Sequence, residues 1–211
     1  MSNRSTGRQV MFVLAPMLLA LTACAGPATT AAPSAKQQPA AESPVQRAVQ
    51  ELLANQAAGR LRTVSGVGYV LAPIAVPLEN GEVSLLPSAP YLESALARIQ
   101  RQWVAGRRQP LPFEAFQRAF TLLTAHRLAV GRDGGEALVR FAKTDDKGRF
   151  TFEQIPEGRW LLVADMSSPV STLLWTVPVQ LGAQNPPPIF LTEGSLLLEA
   201  RKPEQEATPA P

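Results

Sequence analysis

The sequence predicts a mainly β protein, an antiparallel β-sandwich with an inserted helical pair and an N-terminal helix. Three observations carry that prediction. Short apolar segments between residues 64 and 199 follow a period of two and are separated by Pro and Gly, as in an antiparallel sandwich. From about residue 88 to about residue 130 the apolar spacing changes to three or four, so two helices interrupt the run of strands. A helix-start signature, Ser43-Pro44-Val45-Gln46, places a further helix ahead of the first strand.

That first helix is expected over 44–58. Ser43 is its cap, Pro44 takes the first helical position, where a missing N–H is tolerated, and Gln46 stands three residues after the cap. Val45, Val49, Leu52 and Leu53 follow at helical spacing, and Gly59 suits the exit. The stripe either packs on the domain or meets a partner. Val64, Gly66, Gly68 and Val70 then lie in one β-rich stretch, and Glu82-Val83-Ser84-Leu85 alternates after the turn Asn80-Gly81. In the helical pair, Leu92, Leu96, Ile99 and Trp103 form one stripe and Phe113, Phe116, Phe120 and Leu123 the other, both expected to be buried. Leu138-Val139-Arg140-Phe141 and Arg149-Phe150-Thr151-Phe152 flank Asp145-Asp146-Lys147-Gly148, a polar turn expected to close a hairpin. Segments 160–166, 171–181, 189–192 and 195–199 complete the strands.

Ahead of the domain, Arg4 and Arg8 precede an apolar run over 10–21 that ends in small residues, the three parts of an export signal. About a dozen apolar residues interrupted by Pro16 fall short of the roughly 20 a spanning helix needs. The run closes on Leu21-Thr22-Ala23-Cys24. This tetrapeptide resembles the bacterial lipoprotein signal, whose order of Leu, small, small, Cys it matches throughout. The resemblance implies cleavage between Ala23 and Cys24, a diacylglycerol on the Cys24 sulfur and an acylated new amino terminus. Two or more chains at about 0.8 kcal/mol per buried methylene give stable anchoring where one chain is marginal. In that family an aspartate after the cysteine retains the protein at the inner membrane; here the position is Ala25, which implies the outer membrane. An export signal over 1–23 is thus followed by a disordered tether over 24–42, small and polar with spaced prolines. One domain occupies 43–201, with the helical insertion at about 88–130, and 202–211 form a disordered tail.

Cys24 is the only cysteine, so no internal disulfide forms, and its sulfur is committed to the lipid. The formal charge of +3 includes Arg4 and Arg8. Without them the balance is about +1, too small a net charge to indicate nucleic acid or an anionic membrane surface.

A second resemblance lies at 144–160. Thr144-Asp145, then Gly148, then Phe150 and Phe152 in alternation, then Pro156, Gly158 and Trp160, resemble the carboxypeptidase regulatory-like domain, a small sandwich shaped like transthyretin. Each element has a structural reason: Gly148 permits positive φ, the two phenylalanines share a face, and Pro156 with Gly158 turns Trp160 into the core. Val83-Ser84-Leu85-Leu86-Pro87 resembles the family's earlier strand, while the opening hairpin is unclear over 64–78. The helical pair departs from the family. It is expected either to dock a partner or to cover an open sheet face.

The inventory of reactive groups argues against catalysis. His126 is the only histidine, too few for the zinc site of a carboxypeptidase, for a structural zinc, or for the transthyretin-shaped hydrolases. A triad of His126 with Ser65, Ser84, Ser167 or Ser168 has no Gly-x-Ser-x-Gly elbow to support it, and His126 is expected on the surface near a helix end. Asp145 and Asp146 lack the further carboxylates of a calcium loop and are expected to act as turn residues. No cofactor and no metal are expected. Trp103, Trp160 and Trp175 are each placed in an apolar stripe, leaving Tyr69 and Tyr91 as too small a platform for stacking on sugars. The expectation is therefore a lipid-anchored, non-enzymatic envelope protein acting as a structural or protein-interaction module, with the membrane and an envelope protein as its partners. Carbohydrate binding is the alternative, and a hydrolase using His126 a remote one.

Overall fold

A computed structural model describes residues 42–71 and 75–203. The expected signal, its Ala23–Cys24 junction, the body of the tether and most of the tail lie outside these residues. Among the described residues the fold is mixed rather than mainly β, with three α-helices and two sheets built from nine strands. Helix α1 (Pro44–Ala57) starts as its sequence dictates: the Ser43 hydroxyl accepts the Gln46 N–H at 3.0 Å, and Val45, Val49 and Leu52 are buried.

The strands are β1 (Leu61–Leu71), β2 (Ala75–Pro77), β3 (Glu82–Pro87), β4 (Arg140–Lys143), β5 (Arg149–Pro156), β6 (Gly158–Ser167), β7 (Ser171–Leu181), β8 (Ile189–Leu191) and β9 (Leu196–Arg201). Helices α2 (Pro90–Ala105) and α3 (Phe113–Arg132) fall between β3 and β4. In the first sheet β1 pairs antiparallel with β2 and β5 and parallel with β8. The second sheet is antiparallel throughout, in the order β4-β3-β6-β7-β9. The β1–β2 pairing supplies an opening hairpin that the sequence left unclear.

Cross-strand register sorts the second sheet into two apolar faces, because residues directly opposite one another share a face. Val83, Ala164, Trp175 and Leu196 stand in one row, and Leu85, Leu162 and Val177 in the next. This face meets the first sheet, whose Val64, Phe150 and Phe152 join the same core. On the other face Leu86, Val163 and Leu174 meet Leu123 of α3 in a cleft. The layering is sandwich-like, with the helical pair as a third layer: α2 lies against β9 and α3, and α1 packs near β3, β5, β6 and α3.

Three expectations change. First, Asp145 to Gly148 does not close a hairpin, since β4 pairs with β3 and β5 with β1; the turn carries the chain from one sheet to the other. The Asp145 carboxylate accepts the Lys147 and Arg149 N–H groups at 2.9 and 2.7 Å, and these bonds, led by that from Arg149, hold its pKa below the ordinary carboxylate value. Gly148 has φ of 72°, and a Cβ there would lie 2.2 Å from the Gly68 carbonyl oxygen, so only glycine fits. Second, the phenylalanines of α3 are not its buried stripe. That stripe is Ala115, Ala119, Leu123, His126 and Val130, because small alanines let the helix approach its neighbours closely. Phe113 and Phe116 are half-buried, Phe120 is 52% exposed, and their rings stack on one another along the side of the helix. Third, His126 is buried, at 1% exposure.

Candidate functional site

The helical pair is the part of the molecule that packing of the two sheets does not require, and its attachment is chemically specific. Helix α2 has no side-chain cap at Ala89; instead Glu93 in its first turn accepts the Ser88 hydroxyl at 2.6 Å and the Arg159 guanidinium at 2.8 Å. A carboxylate there also complements the positive end of the helix dipole. His126 ties the pair to the sheet: its Nε2 donates to the Pro87 carbonyl at 2.7 Å, which leaves Nδ1 to accept the Tyr91 hydroxyl at 2.6 Å. One imidazole thus joins α3 to α2 and to the end of β3. Burial lowers its pKa, opposed in part by the bond to Pro87, and burial raises that of Tyr91. Both ring nitrogens are occupied by structural partners, neither of them a serine, so the expected surface position of His126 is corrected by a use the sequence did not reveal.

The far end of the pair is fixed by backbone. Leu111 donates to the Glu199 carbonyl and accepts from the Arg201 N–H, both at 2.8 Å, adding an extended residue to the edge of β9. Just before it, Arg107 and Arg108 both adopt left-handed conformations, with φ of 56° and 57°. For non-glycine residues this carries a cost of order 1 kcal/mol each, and such positions concentrate where a surface is used. The Arg108 guanidinium stands 5.6 Å above the Trp103 ring.

The tryptophans are core, as their stripes suggest: Trp160 and Trp175 are 1% exposed and Trp103 3%. Trp160 and Trp175 donate to the Pro156 and Thr192 carbonyls, each at 2.9 Å, whereas the Trp103 indole N–H has no partner among the described residues. Beside Trp103 a cavity of about 350 Å³ is bounded by Arg108, Met166, Leu173, Trp175 and Glu199. A shallower groove of about 720 Å³ separates the end of α3 from β4, with Leu128 and Phe141 on its walls and Arg127 and Arg132 at its rim. Nearby, burial beside Glu82 raises the pKa of Asp165. No cluster of three or more His, Cys, Asp or Glu able to share a metal ion occurs among the described residues, and no described helix is long and apolar enough to cross a membrane.

No protein-family model and no curated protein matches the chain. Among solved structures it is similar to a "putative carbohydrate binding protein" of Pseudomonas aeruginosa, at 21% identity and a TM-score of 0.36, covering 63% of this chain and 88% of that one. It is also similar to the pilus backbone RrgB of Streptococcus pneumoniae, at 13% identity and a TM-score of 0.27 over 57% of this chain. A structure of the full-length RrgB pilin gives 10% identity and a TM-score of 0.26. The chain spans 35% and 26% of these two pilin structures. At TM-scores this low none of the three likenesses establishes a shared fold or activity.

Proposed function

We propose that this is a lipid-anchored, non-enzymatic envelope protein whose sandwich-like domain, of the carboxypeptidase regulatory-like kind, serves as a structural or protein-interaction module. The observation that carries the proposal is Leu21-Thr22-Ala23-Cys24 at the end of an export signal, with Ala25 favouring the outer membrane. The absence of an enzymatic role is supported by His126, whose two nitrogens are both engaged in holding the helical pair. Mass spectrometry of the mature amino terminus tests the anchor: acylated Cys24 is expected, and an unmodified amine or a start elsewhere overturns it. Crosslinking in native membranes followed by pull-down tests the module, with a specific envelope protein as the expected product. Carbohydrate binding ranks second because all three tryptophans are buried, and sugar stacking needs an exposed ring. A glycan-array signal abolished by Tyr69→Ala or Tyr91→Ala would reverse that order.

A further inference from the structure

The net charge of about +1 conceals a segregation. Four arginines lie on α2 and the turn after it, Arg98, Arg101, Arg107 and Arg108, and three on α3, Arg118, Arg127 and Arg132. Over 90–132 they face only two carboxylates, Glu93 and Glu114. The rest of the domain, 42–89 and 133–203, has the opposite bias, with thirteen Asp and Glu against ten Lys and Arg. All seven arginines are exposed, and none forms an ion pair among the described residues. Large apolar side chains stand among them, Val104 at 49% exposure, Phe120 at 52% and Leu128 at 61%, with Phe141 at 52% across the groove.

We infer that the arginine-rich outer side of α2 and α3 docks on anionic phospholipid headgroups, with Phe120 and Leu128 entering the interface. The two helices are about 24 and 30 Å long. Arg127 and Arg132 share the shallow groove beside β4 and Arg108 stands at the Trp103 cavity, while the other four lie elsewhere along the helical pair, a spread that matches a plane of phosphates better than a single ligand. Basic residues interspersed with exposed aromatic and aliphatic side chains are also the composition of helices that lie in a membrane interface. Near an anionic leaflet each arginine adds attraction that decays within a Debye length. The proposal builds on the anchor, since only the 18 residues 25–42 separate Cys24 from the domain and a lipid on Cys24 would keep this surface near the membrane. It assigns the helical pair to the lipid and leaves the acidic remainder of the domain for a protein partner.

Because Cys24 is the only cysteine, a single reporter can be placed in the full chain. Cys24→Ser combined with Leu128→Cys, labelled with a polarity-sensitive dye, removes any acylation and leaves the dye on α3. With vesicles of phosphatidylethanolamine and phosphatidylglycerol the dye is expected to shift to the blue. With phosphatidylcholine replacing phosphatidylglycerol it is expected to stay in water. Raising salt from about 0.1 to about 0.5 M should weaken the response at least about tenfold, and Gln at 101, 107, 118 and 127 about a hundredfold. The same dye at Glu153→Cys, an exposed position on β5, should remain in water throughout. Val104→Cys provides a second reporter if labelling at 128 disturbs the fold. An equal response to both lipids, no response to either, or burial of the dye by a second copy or an acidic protein without lipid would overturn the inference. Failure of the anchor alone is distinguishable, because it appears in the mature terminus and not in the dye.

Discussion

The two sheet-to-sheet crossings within 144–160 and the helical pair over 90–132 differ in how far each residue's role is set by its near neighbours in the chain. In the crossings almost every residue has a role set by its own neighbours. Asp145 satisfies two N–H groups within four residues, Gly148 supplies positive φ, and Trp160 reaches back to the carbonyl of Pro156. In the helices the roles are set from outside. Which side of α3 is buried depends on β3, α2 and α1, so Ala119 is fully buried while Phe120, one residue on, is half exposed. Local chemistry is written in sequence order, whereas a helix's buried side is chosen by partners far away in the chain.

The sharpest way to break that contrast is to compare crossing and helix glycines. Gly148→Ala is expected to cost about 3 kcal/mol or more, since positive φ and a collision with the Gly68 carbonyl act together. Urea denaturation measures it, and a loss below about 1 kcal/mol would mean the turn is not locked. Next is the choice of stripe on α3: Ala119→Leu should destabilise by about 1–3 kcal/mol through overpacking, while Phe120→Ser should cost less than about 1 kcal/mol. The reverse order would restore the phenylalanines as the buried stripe.

His126→Leu should cost about 1–3 kcal/mol by leaving the Pro87 carbonyl unpaired. Its pH signature follows from the lowered pKa. The unfolded chain binds the proton near the ordinary value of about 6.5, the native protein only at lower pH, so stability should fall as pH drops through about 6.5 and level off below the native pKa. Asp165, raised by burial beside Glu82, acts in the opposite sense at lower pH, because the native state takes up its proton first. Thermal melts of the native chain and His126→Leu across this range separate the two, with the histidine slope absent from the variant. The smallest effect is a gain: Gly131→Ala, in α3 with open space around the new methyl, should stabilise by about 0.5–1 kcal/mol.

Much of the fold was legible because it rests on short-range signals. Ser43 and Pro44 start α1 as expected, Phe150 and Phe152 share a buried edge-on pair, and Trp160 fills the core. The strand partners of 140–143 and 149–156 are not legible locally, because a tight polar turn serves a hairpin and a sheet crossing equally well; only long-range pairing decides. The burial of His126 escapes a local reading for the same reason, since its partners Tyr91 and Pro87 lie 35 and 39 residues away in the chain. The charge segregation is fully present in the sequence, and a net charge taken over the whole chain conceals it.

The insertion of α2 and α3 between β3 and β4 has an evolutionary side. These two strands are hydrogen-bonded neighbours, with Leu85 opposite Arg140, so the helical pair leaves and re-enters the sheet at adjacent points. It is an enlarged hairpin loop in topology, and the second sheet would keep its strand order with a short turn in its place. Such a segment can be gained, exchanged or lost without rethreading the chain. What resists its loss is the apolar face beneath it: Leu86, Val163 and Leu174 beside α3, and Leu198 and Ala200 on the strand that α2 lies against, would need polar replacements before the domain could stand without its helices. The arginine-bearing cap and the sheet it covers are thus free to diversify at different rates, provided the covered positions change with it.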